Sequence, residues 1–293
     1  MIWIVVLIFL GLFFGRLKFS MWIAWILVLL LLWFANHILL SADPIWRMVG
    51  ICGVLLAGMK GLVYRAWGGH LSWRRYLVFC LGWFGMDPAT FAKTRRNLVW
   101  KEDVAWGCVL MVTGTLGAWL VWEMEWRQIL VMFLPISLGF HFGALRVLKG
   151  GLRAAGFPVR TLFPNLLKAR GVADFWSRRW NVGYSQMMQR LVGRPIEGLL
   201  GREAGTMAVF VGSGLLHELA ITLPVEAGYG LPTAFFTVHG LLVVLEGRWG
   251  RPLGKIPALL LVAVPLGVLF PPEFQTQVIA RCLRIFDFIG PVL

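Results

Sequence analysis

Residues 19–42 read FSMWIAWILVLLLLWFANHILLSA, 24 positions without a formal charge. A helix of that length runs about 36 Å at roughly 1.5 Å per residue, longer than a hydrocarbon core of about 30 Å. The stretch therefore predicts a membrane span. Residues 104–122, VAWGCVLMVTGTLGAWLVW, form a second uncharged run of 19. The whole chain agrees with these two segments: of its 293 residues 59% are hydrophobic and 14% charged, whereas a soluble domain carries about 25% charged residues. The composition implies an integral membrane protein and excludes a soluble globular domain.

Six further apolar runs extend the pattern: Ile2–Phe14, Met48–Tyr64, Ile129–Leu148, Thr206–Val225, Leu231–Leu245 and Ile256–Phe270. Together they predict an all-α, multi-pass protein of about eight spans. The first run has no basic residue before it and no small-residue cleavage site after it, so it is expected to be a retained helix and not a signal peptide. Tyr76–Met86 is too short to cross unaided and is expected to be re-entrant or interfacial. Cys52, Cys80, Cys108 and Cys282 are scattered, without a C-x-x-C pair or a histidine at metal spacing, so packing roles are expected and no metal site. No repeat or linker divides the chain, which predicts one domain over residues 1–293.

Lys and Arg outnumber Asp and Glu by 28 to 14. Between Arg146 and Arg202 eleven basic residues face two acidic ones, Asp174 and Glu197. The positive-inside tendency places this region in the cytoplasm. Its cations suit anionic membrane lipids, and equally a polyanionic donor such as a coenzyme A thioester; no nucleic-acid partner is expected.

Two stretches interrupt the apolar background. Residues 174–186, DFWSRRWNVGYSQ, cluster arginines, tryptophans and an asparagine. Helical spacing puts Phe175, Arg178, Arg179 and Val182 on one side and Trp176, Trp180 and Gly183 on another, predicting an amphipathic helix at the membrane surface. In that setting the aromatics dip into the interface, the arginines touch headgroups and Asn181 bonds to backbone. Residues 210–221, FVGSGLLHELAI, place His217 and Glu218 inside an apolar run. Ionisable groups at membrane depth face a protein interior or a wet cavity. Phe210, Ser213, Gly214 and His217 fall on one face, with Gly212 and Gly214 leaving room for close approach.

Spacing removes several chemistries. His217-Glu218 lacks the second histidine of H-E-x-x-H, because position 221 is Ile, which disfavours a zinc peptidase. Gly212-Ser213-Gly214 is not G-x-S-x-G, since position 211 is Val. What survives is a histidine base without a protein nucleophile. A non-catalytic lipid transporter or accessory protein, and an intramembrane hydrolase using Ser213, stay open as alternatives.

Phe175-Trp176-Ser177-Arg178-Arg179-Trp180-Asn181, followed 36 positions after the Asn by the histidine of Ser213-Gly214-Leu215-Leu216-His217-Glu218, resembles the membrane-bound O-acyltransferase family, in particular its wax synthase-like branch. Gly82-Trp83-Phe84-Gly85-Met86-Asp87-Pro88, His141-Phe142-Gly143 and Val238-His239-Gly240 resemble accessory motifs of that branch in the same order. The family-like core covers about residues 76–246. The resemblance implies transfer of a long-chain acyl group from an acyl thioester, acyl-CoA as donor, to a lipophilic alcohol, giving a wax-ester or sterol-ester product without a cofactor. It implies His217 as general base and Asn181 as a donor to the developing oxyanion or a substrate-positioning residue. Trp176, Trp180, Arg178, Arg179 and Ser213 are expected around the donor or the imidazole. Phe210, Gly214, His141, His239 and Glu246 are expected to line the cavity or to act structurally. Glu218 points about 100° from His217, so a direct His-Glu dyad is not expected.

Overall fold

The computed structural model describes residues 2–124 and 129–288, and among these it is helical throughout, without strands. Each of the eight apolar runs forms helix. Five helices are long and apolar enough to cross a membrane: Met21–Ile38, Pro44–Trp67, Lys101–Glu123, Val131–Ala154 and Arg202–Val225. Lys255–Leu269 and Pro272–Leu283 make a sixth span if counted as one helix bent by 77°; Pro271 and Pro272 interrupt the hydrogen-bond ladder at the bend. The count falls short of eight for physical reasons. Ile2–Phe14 has only 13 residues, and Leu231–Trp249 carries His239, Glu246 and Arg248 along its length.

The described residues fall into two compact units. The first comprises those of Met1–Ala92 and Gly183–Val244. Its core joins Val28, Leu32 and Ala35 to Ile51, Val54, Met59 and Leu62, with Met187, Met188 and Leu191 packed alongside. Local signals delimit these helices. The Ser20 hydroxyl accepts from the Ile23 N–H at 3.4 Å, Asp43 accepts from Ile45 N–H at 3.0 Å just before Pro44, and Gly68 closes the Pro44–Trp67 helix at φ 72°. At the crossing of the Ile2–Phe14 and Pro44–Trp67 helices, a Cβ on Gly15 would lie 2.7 Å from the Gly61 Cα, so the backbones meet through small residues.

The second unit comprises the described residues of Lys93–Val182 and Leu245–Leu293. Lys101–Glu123 and Val131–Ala154 pack antiparallel: Gly150 meets Val104, Gly143 meets Met111, and Gly114 meets Gly139. Trp122 belongs to a cluster with Ala118, Met132 and Phe286, and its indole N–H donates to Asp287 Oδ1 at 2.7 Å.

Trp73–Leu81 is a helix of nine residues ending at Gly82, and residues 83–87 that follow are irregular. π-helical turns occupy Leu138–Ala144, Phe175–Arg179 and Glu218–Thr222. They contain His141, contain the Phe175–Arg179 run and directly follow His217, respectively. Such turns concentrate at functional positions in helices.

Candidate active site

In the first unit, the His217 Nδ1–H donates to the Ser213 carbonyl at 2.7 Å. A carbonyl only accepts, so in the neutral ring the proton sits on Nδ1 and Nε2 carries the lone pair. The ring packs against Phe236 at 4.4 Å between centroids and meets Tyr184 edge-on at 5.9 Å. Burial pushes the Tyr184 phenol well above its ordinary value, so it stays a neutral hydroxyl. The Ser213 hydroxyl donates to the Val209 carbonyl at 2.7 Å; the residue orients the imidazole through its carbonyl and not through its side chain.

Glu218 is not a partner of His217 in this arrangement. Its carboxylate accepts from Gly230 N–H and Thr233 N–H, both at 3.0 Å, from the Thr233 hydroxyl at 2.8 Å and from the Thr222 hydroxyl at 2.5 Å. It thereby binds the exposed amides at the start of the Leu231–Trp249 helix, where a negative charge is favoured. The space beside Gly214 is filled, since a Cβ there would sit 2.6 Å from the Thr233 Cα. Phe210 is buried against Gly240. His239 is buried and repeats the His217 pattern, with Nδ1–H donating to Phe235 O at 2.7 Å.

In the second unit, the predicted amphipathic helix over residues 174–183 is broken. The π turn Phe175–Arg179 ends at Trp180, which is extended at φ −108° and ψ 121°, and Asn181 adopts φ 40°. Asparagine tolerates this left-handed conformation better than other side-chain-bearing residues. A new helix then begins at Val182, whose N–H donates to Leu162 O at 2.9 Å. The break destroys the single face on which Arg178, Arg179 and Val182 were expected. Arg179 Nε lies 3.3 Å from Asp174 Oδ2, Arg178 is exposed, and Trp176 packs edge-on against Phe175 at 5.1 Å.

Trp180 and His141, distant in sequence, come together here. The Trp180 ring lies 5.2 Å from His141, 4.9 Å from Phe163 and 6.0 Å from Phe133, and stacks on Phe175 at 5.9 Å. Glu246 holds the backbone of this motif from outside. Its carboxylate accepts from Val172 N–H at 3.0 Å, Ala173 N–H at 2.8 Å and Leu253 N–H at 2.8 Å. Gly171 makes this approach possible, because a Cβ there would collide with Glu246 Oε1.

Lys60 was visible in the sequence only as a lone charge in an apolar run. It is fully buried, with Nζ donating to the carbonyls of Phe79 at 2.8 Å, Trp83 at 2.7 Å and Gly85 at 2.6 Å. Its three protons are thus matched to three carbonyls, and they fix the Gly82–Pro88 segment. Tyr184 was also overlooked, though it lies inside the quoted 174–186 stretch. Among the described residues no group of three His, Cys, Asp or Glu is placed to hold a metal ion.

Residues 159–238 match the model of the Membrane bound O-acyl transferase family. Over this segment the chain is similar to the membrane-bound O-acyltransferases. It contains Trp180, Asn181, Tyr184, Ser213 and His217, while Lys60, His141, His239 and Glu246 lie outside it. Among individual proteins, the chain is 29% identical over 157 residues to the Arabidopsis thaliana protein named "Probable long-chain-alcohol O-fatty-acyltransferase 2", a match covering 46% of each. It is 33% identical over 87 residues to the "Long-chain-alcohol O-fatty-acyltransferase" of Simmondsia chinensis, covering 27% of this chain and 25% of that one. The chain spans about half the length of the curated relatives it matches. Within the family segment, the histidine and asparagine singled out from sequence occupy two unusual local geometries: a helix running into a π turn, and a left-handed break.

Proposed function

We propose that the protein is a membrane-embedded O-acyltransferase that moves a long-chain acyl group from an acyl thioester, acyl-CoA, to the hydroxyl of a lipophilic alcohol. The observation that carries this reading is the 2.7 Å bond from His217 Nδ1–H to the Ser213 carbonyl, which leaves Nε2 as the basic nitrogen. In the reaction, Nε2 takes the alcohol proton as the oxygen attacks the thioester carbonyl. The C–S bond then breaks, the ester forms, and the departing thiolate recovers the proton from the imidazolium. We assign Asn181 to positioning the acyl donor or to donating its amide to the carbonyl oxygen as charge develops there. No covalent enzyme intermediate is needed. The names of the relatives support an acyl donor and a long-chain alcohol as substrates.

The hydrolase alternative loses support, because the Ser213 hydroxyl is buried and committed to Val209 O. We extend the proposal to a single membrane domain with a family-like core over about residues 76–246, and to a cytoplasmic location for Arg146–Arg202. Purified protein incubated with labelled acyl-CoA and a panel of long-chain alcohols should form ester only when an alcohol is present. Thioester consumption that ignores the alcohol, or none with any alcohol, overturns the transferase reading.

A further inference from the structure

The Val131–Ala154 helix presents Arg146, Lys149 and Arg153 at spacings of three and four, hence on one face. All three converge on one carboxylate, Asp103, in the first turn of the Lys101–Glu123 helix. Lys149 Nζ lies 2.7 Å and Arg146 Nε 3.3 Å from Asp103 Oδ1, and an Arg153 terminal nitrogen lies 3.0 Å from Oδ2. Asp103 and Lys149 are buried, while the side chains of Arg153 and Arg146 are 25% and 37% exposed.

Three cations against one anion leave a surplus of positive charge where hydration is restricted, an arrangement that favours a bound anion. The remaining protein partners of Arg153 are the neutral carbonyls of Val159 and Val99. Glu102, the other acid of that turn, is exposed. Arg146 engages Asp103 through Nε, and among the described residues its two terminal nitrogens have no protein partner. That free planar fork matches phosphate oxygens.

We propose that Arg146, Lys149 and Arg153, gathered by Asp103, form a phosphate-binding site, and that the phosphate belongs to the coenzyme A portion of the acyl donor. The second half of this inference rests on the transferase reading above. The chain ties the cluster to the Asn181 turn. Arg153 Nε donates to Val159 O at 3.0 Å, and Leu162 O receives the Val182 N–H at 2.9 Å. The three chain steps from Val159 to Leu162 reach at most about 11 Å. A coenzyme A thioester carries its sulfur on a long flexible arm, so a phosphate site near but apart from the oxyanion donor suits it.

Membrane headgroups share the phosphate chemistry, and the test separates the two sources. Protein in phosphatidylcholine nanodiscs is titrated with labelled adenosine 3′,5′-bisphosphate, which has no lipid tail, and is assayed with palmitoyl-CoA and with the N-acetylcysteamine thioester of the same chain, which has no phosphate. Removing one charge-assisted contact costs about tenfold to a hundredfold in affinity. Arg146→Ala should therefore weaken nucleotide binding by about that factor and lower the preference for the phosphate-bearing donor equally, with partial recovery in Arg146→Lys. Equal losses with both donors overturn the proposal in favour of a structural role. Unchanged nucleotide binding, with loss of retained phosphatidylglycerol, overturns it in favour of headgroups. Nucleotide binding that depends on Arg146 in a protein unable to transfer to any alcohol upholds the phosphate site and rejects the transferase reading alone.

Discussion

Replacing Glu246 with glutamine tests whether the turn bearing Trp180 and Asn181 is held from a distance. The carboxylate accepts three backbone N–H groups at 2.8 to 3.0 Å from a buried position. Glutamine offers one oxygen. Placed where Oε1 is, that oxygen keeps Val172 and Leu253, but the amide nitrogen then confronts the Ala173 N–H, donor against donor. One charge-assisted bond becomes an unsatisfied buried donor and two bonds lose their charge, for a combined cost of about 3 to 5 kcal/mol. At about 1.4 kcal/mol per tenfold, the Val172 and Ala173 amides should exchange with deuterium roughly a hundredfold to a few thousandfold faster. Exchange in the Lys101–Glu123 helix should stay as it was. Turnover should fall with the loosening, because a displacement of about 1 Å at a reacting group can cost about 10² in rate. Unaltered exchange over residues 171–180 refutes the assigned support, and acceleration spread evenly over the chain refutes its local character.

Four further outcomes are expected. His217→Gln keeps size and hydrogen bonding but cannot accept a proton near neutrality, so ester formation should drop by about 10² or more while donor binding persists; intact transfer removes His217 as the base. Wild-type rate should also decline as pH is lowered and the imidazole becomes protonated, whereas the residual rate of the glutamine variant should be flat. Asn181→Gly, which retains the φ of 40° without strain, should lower turnover by about 10² to 10³; Asn181→Ala adds a backbone cost of about 1 to 2 kcal/mol, and near-normal rates in the glycine variant exclude the oxyanion role. Cysteines placed singly between Arg146 and Arg202, in a background without the four native ones, should resist an impermeant thiol reagent applied to sealed cells, and ready labelling inverts the proposed orientation.

The helices were legible because apolar runs report burial directly, whether against protein or lipid. The eight runs therefore fell on helix, and the bent pair was disguised only by treating Ile256–Phe270 without the Pro272–Leu283 helix beyond it. His217 stood out because an ionisable group inside an apolar run is costly, whereas Asn181 gained its role only through the family resemblance. Their surroundings were hidden for a different reason. Glu246 meets Val172 across 74 positions of sequence, and no local spacing encodes such a partner. The break at Asn181 escaped because helical spacing assumes a continuous helix, while the structure inserts a π turn and a left-handed residue. Lys60 illustrates both difficulties, being conspicuous as a charge and silent about the carbonyls that receive it.

Lys60 also constrains how the protein is made. Chain synthesis delivers the Pro44–Trp67 helix before Phe79, Trp83 and Gly85, the residues whose carbonyls coordinate its ammonium 19 to 25 positions later. During that interval the translocation machinery handles a helix whose charge has no final partner, at a cost of about 2.5 to 3.5 kcal/mol at mid-membrane. Lys60 stands seven residues before the end of its helix, about 10 Å at roughly 1.5 Å per residue, close enough for a lysine stem to stretch toward the aqueous boundary. The nascent helix can therefore wait with its cation at the interface and draw it inward once the Trp73–Leu81 helix and its trailing loop emerge. Assembly of this region is then sequential, and a chain truncated after Trp67 and released into membranes should leave Lys60 reachable by water-soluble amine reagents.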